Sequence, residues 1–125
     1  MKKFILASSL SLLSASVMAG NLTDNNGMTL YTFDKDSVDN SNCYGSCAKK
    51  WPPFVATEGV ELKKGWGVIE RKDGIKQLTF NGKPLYTWIG DQKVGDATGD
   101  GVGGVWHVAS NKASGKAKAG EDSGY

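Results

Sequence analysis

From Trp66 to Trp88 the chain reads WGVIERKDGIKQLTFNGKPLYTW, three short runs cut by Asp73-Gly74 and by Asn81-Gly82. Each run is strand-like, and on an extended strand successive side chains point to opposite faces. The pattern predicts strands over 67–71, 76–80 and 84–88. Both dipeptides suit the type I′ turn, whose two central residues take positive φ. Upstream, Asn26-Gly27 precedes a similar run and predicts a strand over 29–33, and near the other end a strand is expected over 105–109. A weaker one lies near Phe54 and Val55, where Pro52-Pro53 rules out regular pairing. One helical piece of roughly two turns is expected over 43–50, stopped where Trp51 precedes Pro52.

The strands are not independent of one another. NGMTLYTFDKD, starting at Asn26, returns 55 residues later as NGKPLYTWIGD, starting at Asn81. Asn-Gly, Leu-Tyr-Thr and the final Asp recur in register, and Phe33 is exchanged for Trp88. The same offset carries Trp51 onto Trp106 without a gap. Such a match reads as internal duplication. Two copies are too few for a solenoid, so they are expected to pack as one pseudo-symmetric unit. On a strand Tyr31 and Phe33 share one face, as do Tyr86 and Trp88, so these aromatics are the expected core. The predicted fold class is all-β, mainly antiparallel: a single small domain of two imperfect repeats with one short helical or disulfide-bridged turn. The repeats span about 26–56 and 81–109, with a hairpin region over 60–80, inside a domain covering 20–109.

The ends read differently. MKKFILASSLSLLSASVMAG has a basic start at Lys2 and Lys3, an apolar Ser-rich stretch, and small residues at Val17 and Ala19. These features predict a signal peptide over 1–19, cleaved after Ala19. From Ser110 onward apolar residues nearly vanish, which predicts a disordered tail over 110–125. Setting the two leader lysines aside, 13 basic side chains face 13 acidic ones. The mature chain is therefore nearly neutral, and no Lys/Arg run remains to follow a phosphate backbone, so nucleic acid is not expected as a partner. No second stretch looks able to span a membrane. The two cysteines, Cys43 and Cys47, are expected to form a disulfide in an exported protein.

The pattern Tyr-x-(Phe/Trp/Tyr)-x-x-Asp stands at Tyr31-Phe33-Asp36 and at Tyr86-Trp88-Asp91, with CYGSCAKKWPP, RKDGIKQLTFNGKPLY and GDATGDGVGGVWHV around it. Together these resemble the bacterial secreted-repeat proteins known as predicted lipoproteins with the Yx(FWY)xxD motif. The resemblance implies export and a duplicated β-module, and brings no catalytic residues with it. This chain differs from lipoprotein members in lacking a cysteine at the processing site, so a product without a lipid, in the periplasm or secreted, is expected.

Several constellations carry candidate chemistry. Cys43-Tyr-Gly-Ser-Cys47 reads as a structural bridge fixing the approach to Trp51; no histidine follows it as haem attachment would need. Asp36 and Asp91 read as acceptors for loop amides, and a remote alternative makes them a pseudo-symmetric catalytic pair of a hydrolase. Calcium is a further alternative, with Asp34, Asp36, Asp39, Asp91, Asp96 and Asp100 as oxygen ligands, though neither acidic stretch has EF-hand spacing. His107, the single histidine, reads as a partly buried strand residue. The function these residues point to is an exported, non-enzymatic binding module for a small ligand or an envelope partner, acting through the loops after the motif strands. The rival is an accessory to periplasmic redox or calcium handling.

Overall fold

Strand-like runs and tight turns give mostly antiparallel strands in two small sheets, with little helix among the described residues. The structure, a computed structural model, describes residues 20–111; the leader read over 1–19 and the tail beyond 111 lie outside the described residues. The strands are β1 (Tyr31–Phe33), β2 (Trp66–Glu70), β3 (Lys76–Phe80), β4 (Lys83–Pro84) and β5 (Trp106–Val108). Among the described residues one short α-helix, α1 (Ser46–Lys50), and a 3-10 turn (Val102–Gly104) complete them. β1 pairs with β5, and β2, β3 and β4 form a meander.

The two sheets are joined through the backbone of the repeated tyrosines. Tyr31 and Tyr86 exchange both backbone hydrogen bonds, at 2.8 and 3.0 Å. These residues are equivalent in the two copies, so the pseudo-twofold axis of the duplication runs between them. The same 55-residue offset carries α1 onto the 3-10 turn, so both copies make a helical excursion before their tryptophan. Cys43 and Cys47 are bridged in the first copy, and the Trp51 N–H closes α1 on the Cys47 carbonyl.

Some expectations change in detail. Asn81-Gly82 has positive φ at both residues, as type I′ requires. At Asp73-Gly74 only the glycine does. There Gly74 N–H bonds the Arg71 carbonyl and Arg71 N–H bonds the Ile75 carbonyl, giving a three-residue loop with a left-handed glycine. Asn26-Gly27 follows that second pattern, between Asp24 and Met28. Asp24 Oδ1 accepts the Asn26 and Met28 amides of one turn, and Asp73, inside the other, accepts the Ile75 amide, which stabilises the longer loop. The strand expected over 84–88 is β4 alone plus single bridges from Tyr86 to Tyr31 and to Pro53, because this segment switches partners between the sheets. The segment after Pro52-Pro53 pairs through Phe54 N–H to the Leu85 carbonyl and Leu78 N–H to the Phe54 carbonyl. The helix is shorter than 43–50 and starts after Gly45, whose φ is positive. Pairing continues past 109: Asn21 bridges Ser110, and Asn111 N–H donates to the Gly20 carbonyl.

Candidate functional site

Period two on β1 and β5 divides the molecule's side chains between two cores. Tyr31, Phe33, Trp106 and Val108 face one way and join Trp51, Tyr86, Trp88 and the disulfide. Leu30 and Ala109 face the other way and join Leu22 and Leu85, with Phe54, Trp66 and Phe80 packed against them.

The first core is an aromatic column. Trp51 and Trp106 stack with ring centroids 3.8 Å apart and planes 2° from parallel. Phe33 stacks on the outer side of Trp106 at 4.1 Å, and Trp88 lies against the outer side of Trp51 at 4.2 Å with the planes tilted by 32°. Tyr31 meets Trp51 edge-on and Tyr86 meets Trp106 edge-on, each at 5.2 Å. The order Phe33–Trp106–Trp51–Trp88 obeys the pseudo-twofold, and each motif's stacking ring lies on the other copy's tryptophan. Gly99 sits so close that a Cβ there would lie 2.6 Å from the Trp51 ring.

The motif aspartates cross over in the same way. The Tyr31 hydroxyl donates to Asp91 Oδ2 at 2.6 Å, and the Tyr86 hydroxyl donates to Asp36 Oδ2 at 2.7 Å. The other oxygen of each carboxylate binds its own loop: Asp36 Oδ1 accepts the Asn42 N–H, and Asp91 Oδ1 accepts the Thr98 N–H and hydroxyl. The carboxylates thus serve as loop acceptors and as partners of the opposite tyrosine, with both oxygens of each engaged. Burial pushes both tyrosine hydroxyls up from their ordinary value, and the facing carboxylates add to the rise. Burial also pushes Asp36 up, against the lowering pull of the Tyr86 hydroxyl, the Asn42 amide and Arg71.

Sequence reasoning missed Arg71. Its side chain is fully buried, and its guanidinium donates to the Ser41 hydroxyl, the Gln77 side-chain oxygen, the Cys43 carbonyl and Asp73. It lies 4.4 Å over the Tyr44 ring. A donor chain therefore runs from Arg71 to Ser41, from Ser41 to the Tyr86 hydroxyl, and on to Asp36. Such full use of donors is what makes a buried cation tolerable. An arginine at the end of a strand-like run carries no local signal of this role, because Ser41 and the Cys43 carbonyl lie 30 and 28 residues away in another loop.

The candidate calcium ligands are dispersed. Asp34 pairs with His107, Asp36 with Tyr86, and Asp91 with Tyr31. Asp96 caps the Gln92 and Lys93 amides, which hold its carboxyl below the usual range, and Asp100 accepts the Val108 N–H. Asp39 is a positive-φ loop residue. Among the described residues no group of three or more His, Cys, Asp or Glu side chains is gathered for a metal ion, and no cysteine is free.

A pocket of about 500 Å3 opens on the face of β1 and β5 opposite the aromatic column. Leu22, Leu85 and Ala109 give it an apolar side, and Asp34, Lys83 and His107 a polar one. Asp34 Oδ2 and His107 Nε2 are 2.8 Å apart, and both side chains are about half exposed. All three polar positions differ between the copies: the 55-residue offset sets Asp34 against Ile89, His107 against Pro52 and Lys83 against Met28. The duplicated core is kept, while the polar side of this pocket is written once.

A family model described as a secreted repeat of unknown function matches residues 19–55 and again residues 67–110. Neither the curated proteins nor the solved structures give a match.

Proposed function

The chain belongs to the family of secreted repeats of unknown function, and from that premise we propose that it is an exported, non-enzymatic binding module whose ligand site is the pocket beside Asp34, Lys83 and His107. The observation that carries this reading is the divergence of the copies at those three positions. Residues that recur in both copies are occupied with one another in the aromatic column and the crossed Tyr–Asp pairs. The three polar residues at the pocket are released from that duplication, while Leu85 of its apolar wall keeps its counterpart, Leu30. A concave site with an apolar wall and a few convergent polar groups suits a small ligand that is polar at one end.

The expected test is amide-resolved NMR with a fragment set of small carboxylic acids, amines and sugars. Binders should shift the amides of 32–34 and 107–109. Asp34→Asn and His107→Ala should abolish those shifts while costing at most about 1 kcal/mol of stability, since the pair is exposed. Binding that persists in both variants would remove the pocket from consideration.

Export belongs to the same proposal: cleavage after Ala19 releases a chain without a lipid into the periplasm or medium. Among the described residues no helix is long and apolar enough to cross a membrane. Mass spectrometry of protein recovered from the envelope fraction should find a chain starting at Gly20 with Cys43 and Cys47 oxidised. A retained leader or a lipid adduct would contradict it.

A further inference from the structure

The aromatic column has features that packing alone does not ask for. Three of its four rings are indoles, the most readily oxidised of the apolar side chains, and they are in sequence: Trp106, Trp51, Trp88 at 3.8 and 4.2 Å. Trp51 and Trp106 are buried, whereas Trp88 at one end is only partly so. A phenol touches each buried indole edge-on, and each phenol donates its proton to a carboxylate. Rings in van der Waals contact are strongly coupled electronically. A phenol that loses an electron becomes a strong acid, and here a proton acceptor already stands within 2.7 Å.

We propose that the two motifs together form a one-electron relay, in which an oxidant takes an electron from the indole stack and a motif tyrosine then refills it, passing its proton to the partner aspartate. The oxidant is a diffusing one-electron acceptor, such as an oxygen-centred radical. It gains one electron at Trp88 and is reduced. The electron hole moves to Trp51 and Trp106, where two parallel rings share it. Tyr31 or Tyr86 supplies the missing electron while its O–H proton goes to Asp91 or Asp36. The products are the reduced oxidant, one neutral tyrosyl radical and one carboxylic acid, so charge and protons balance. Burial raises the proton affinity of Asp36, which favours the transfer. Burial also keeps each phenol protonated until its electron leaves. This role is independent of the pocket, which lies on the opposite face of β1 and β5.

The relay makes the crossed arrangement chemically meaningful. Each motif provides an electron donor, a ring of the stack, and the proton acceptor for the other copy's donor. A pair of copies gives two equivalent outlets from a single shared stack.

The test uses the mature chain with Trp66, Tyr44 and Tyr125 changed to phenylalanine, so that the only indoles and phenols left are those of the column. Photogenerated tris(bipyridine)ruthenium(III) serves as oxidant, followed by transient absorption. The expected record is a broad near-infrared charge-resonance band from the stacked indole pair, decaying as the tyrosyl band rises, with the rise slowed in deuterated water. Asp36→Asn with Asp91→Asn keeps acceptor oxygens for the phenols but cannot take a proton. It should abolish the tyrosyl band and prolong the indole signal. Should the double variant fail to fold, either single variant should halve the tyrosyl yield. A missing charge-resonance band, no isotope effect, or an unchanged tyrosyl yield in the folded asparagine variants would each overturn the proposal.

Discussion

Replacing Trp51 or Trp106 by alanine is expected to destabilise the protein by about 3–5 kcal/mol, the usual loss when a buried large aromatic is removed. Both indoles are almost wholly enclosed, 3% and 4% exposed. Each stacks on the other and meets a tyrosine edge-on, so its removal strips contacts from both halves of the duplication. A small domain typically has about 5–15 kcal/mol of stability in all, so these variants should be near the limit of folding. The geometry also makes a finer statement. Because the rings share one contact face, the double variant should lose less than the sum of the singles, with a coupling of about 0.5–3 kcal/mol. Urea unfolding of the four proteins of this cycle is the measurement, with the two Trp→Phe variants as milder substitutes if alanine abolishes folding. Strict additivity would mean that the halves fold without a common core. Tryptophan variants with wild-type stability but no ligand binding would turn the column into a binding platform.

That experiment bears on what could be read before any coordinates. The duplication was plain in the letters, and with it the strands, the aromatic core face and the disulfide. Period-two alternation is a local property, and so is an Asn-Gly turn. The crossing was hidden. Asp36 follows Tyr31 closely and reads as a turn acceptor for its own loop, which it is through Oδ1. Its second oxygen serves Tyr86, 50 residues away, and no local pattern announces that. The Asp34–His107 pair spans 73 residues and exists only because β1 and β5, the first and last strands, lie side by side. Arg71 belongs to the same class: it stands in the sequence only as the last residue of a strand-like run, while the fold surrounds it with Ser41, Gln77 and the Cys43 carbonyl. The turn at Asp73-Gly74 was misread for a subtler reason. Either of two hairpin loops accepts that dipeptide, and the Asp73 side chain, bonded to Arg71 and to the Ile75 amide, favours the longer one.

The crossed tyrosines lead to the second large effect, an alkaline loss of stability. In the folded protein burial and the facing carboxylates raise both phenols above the ordinary value of 10.0. In the unfolded chain both return to about that value. Above pH 10 the unfolded chain therefore releases two protons that the folded protein retains. A group with a raised folded pKa contributes stability that is fully present below the unfolded pKa and is lost as pH rises toward the folded one. Each tyrosine should remove about 1.4 kcal/mol per pH unit in that window, so the pair should remove about 2.7. Two units of alkalinity would then consume a margin of about 5 kcal/mol, the low end for a small domain. Unfolding free energies from urea titrations should be nearly level between about pH 8 and 9.5 and then fall with a slope approaching the value for two groups. Tyr31→Phe and Tyr86→Phe each remove one group. Each variant should begin less stable, by about 1–3 kcal/mol for the carboxylate oxygen left without its donor, yet decline about half as steeply. All other groups are common to the three proteins, so the difference in slope between wild type and variants isolates the phenols. Equal slopes would mean that the tyrosines give up their protons as readily folded as unfolded, which is incompatible with hydroxyls sealed between the two copies and bonded to their aspartates.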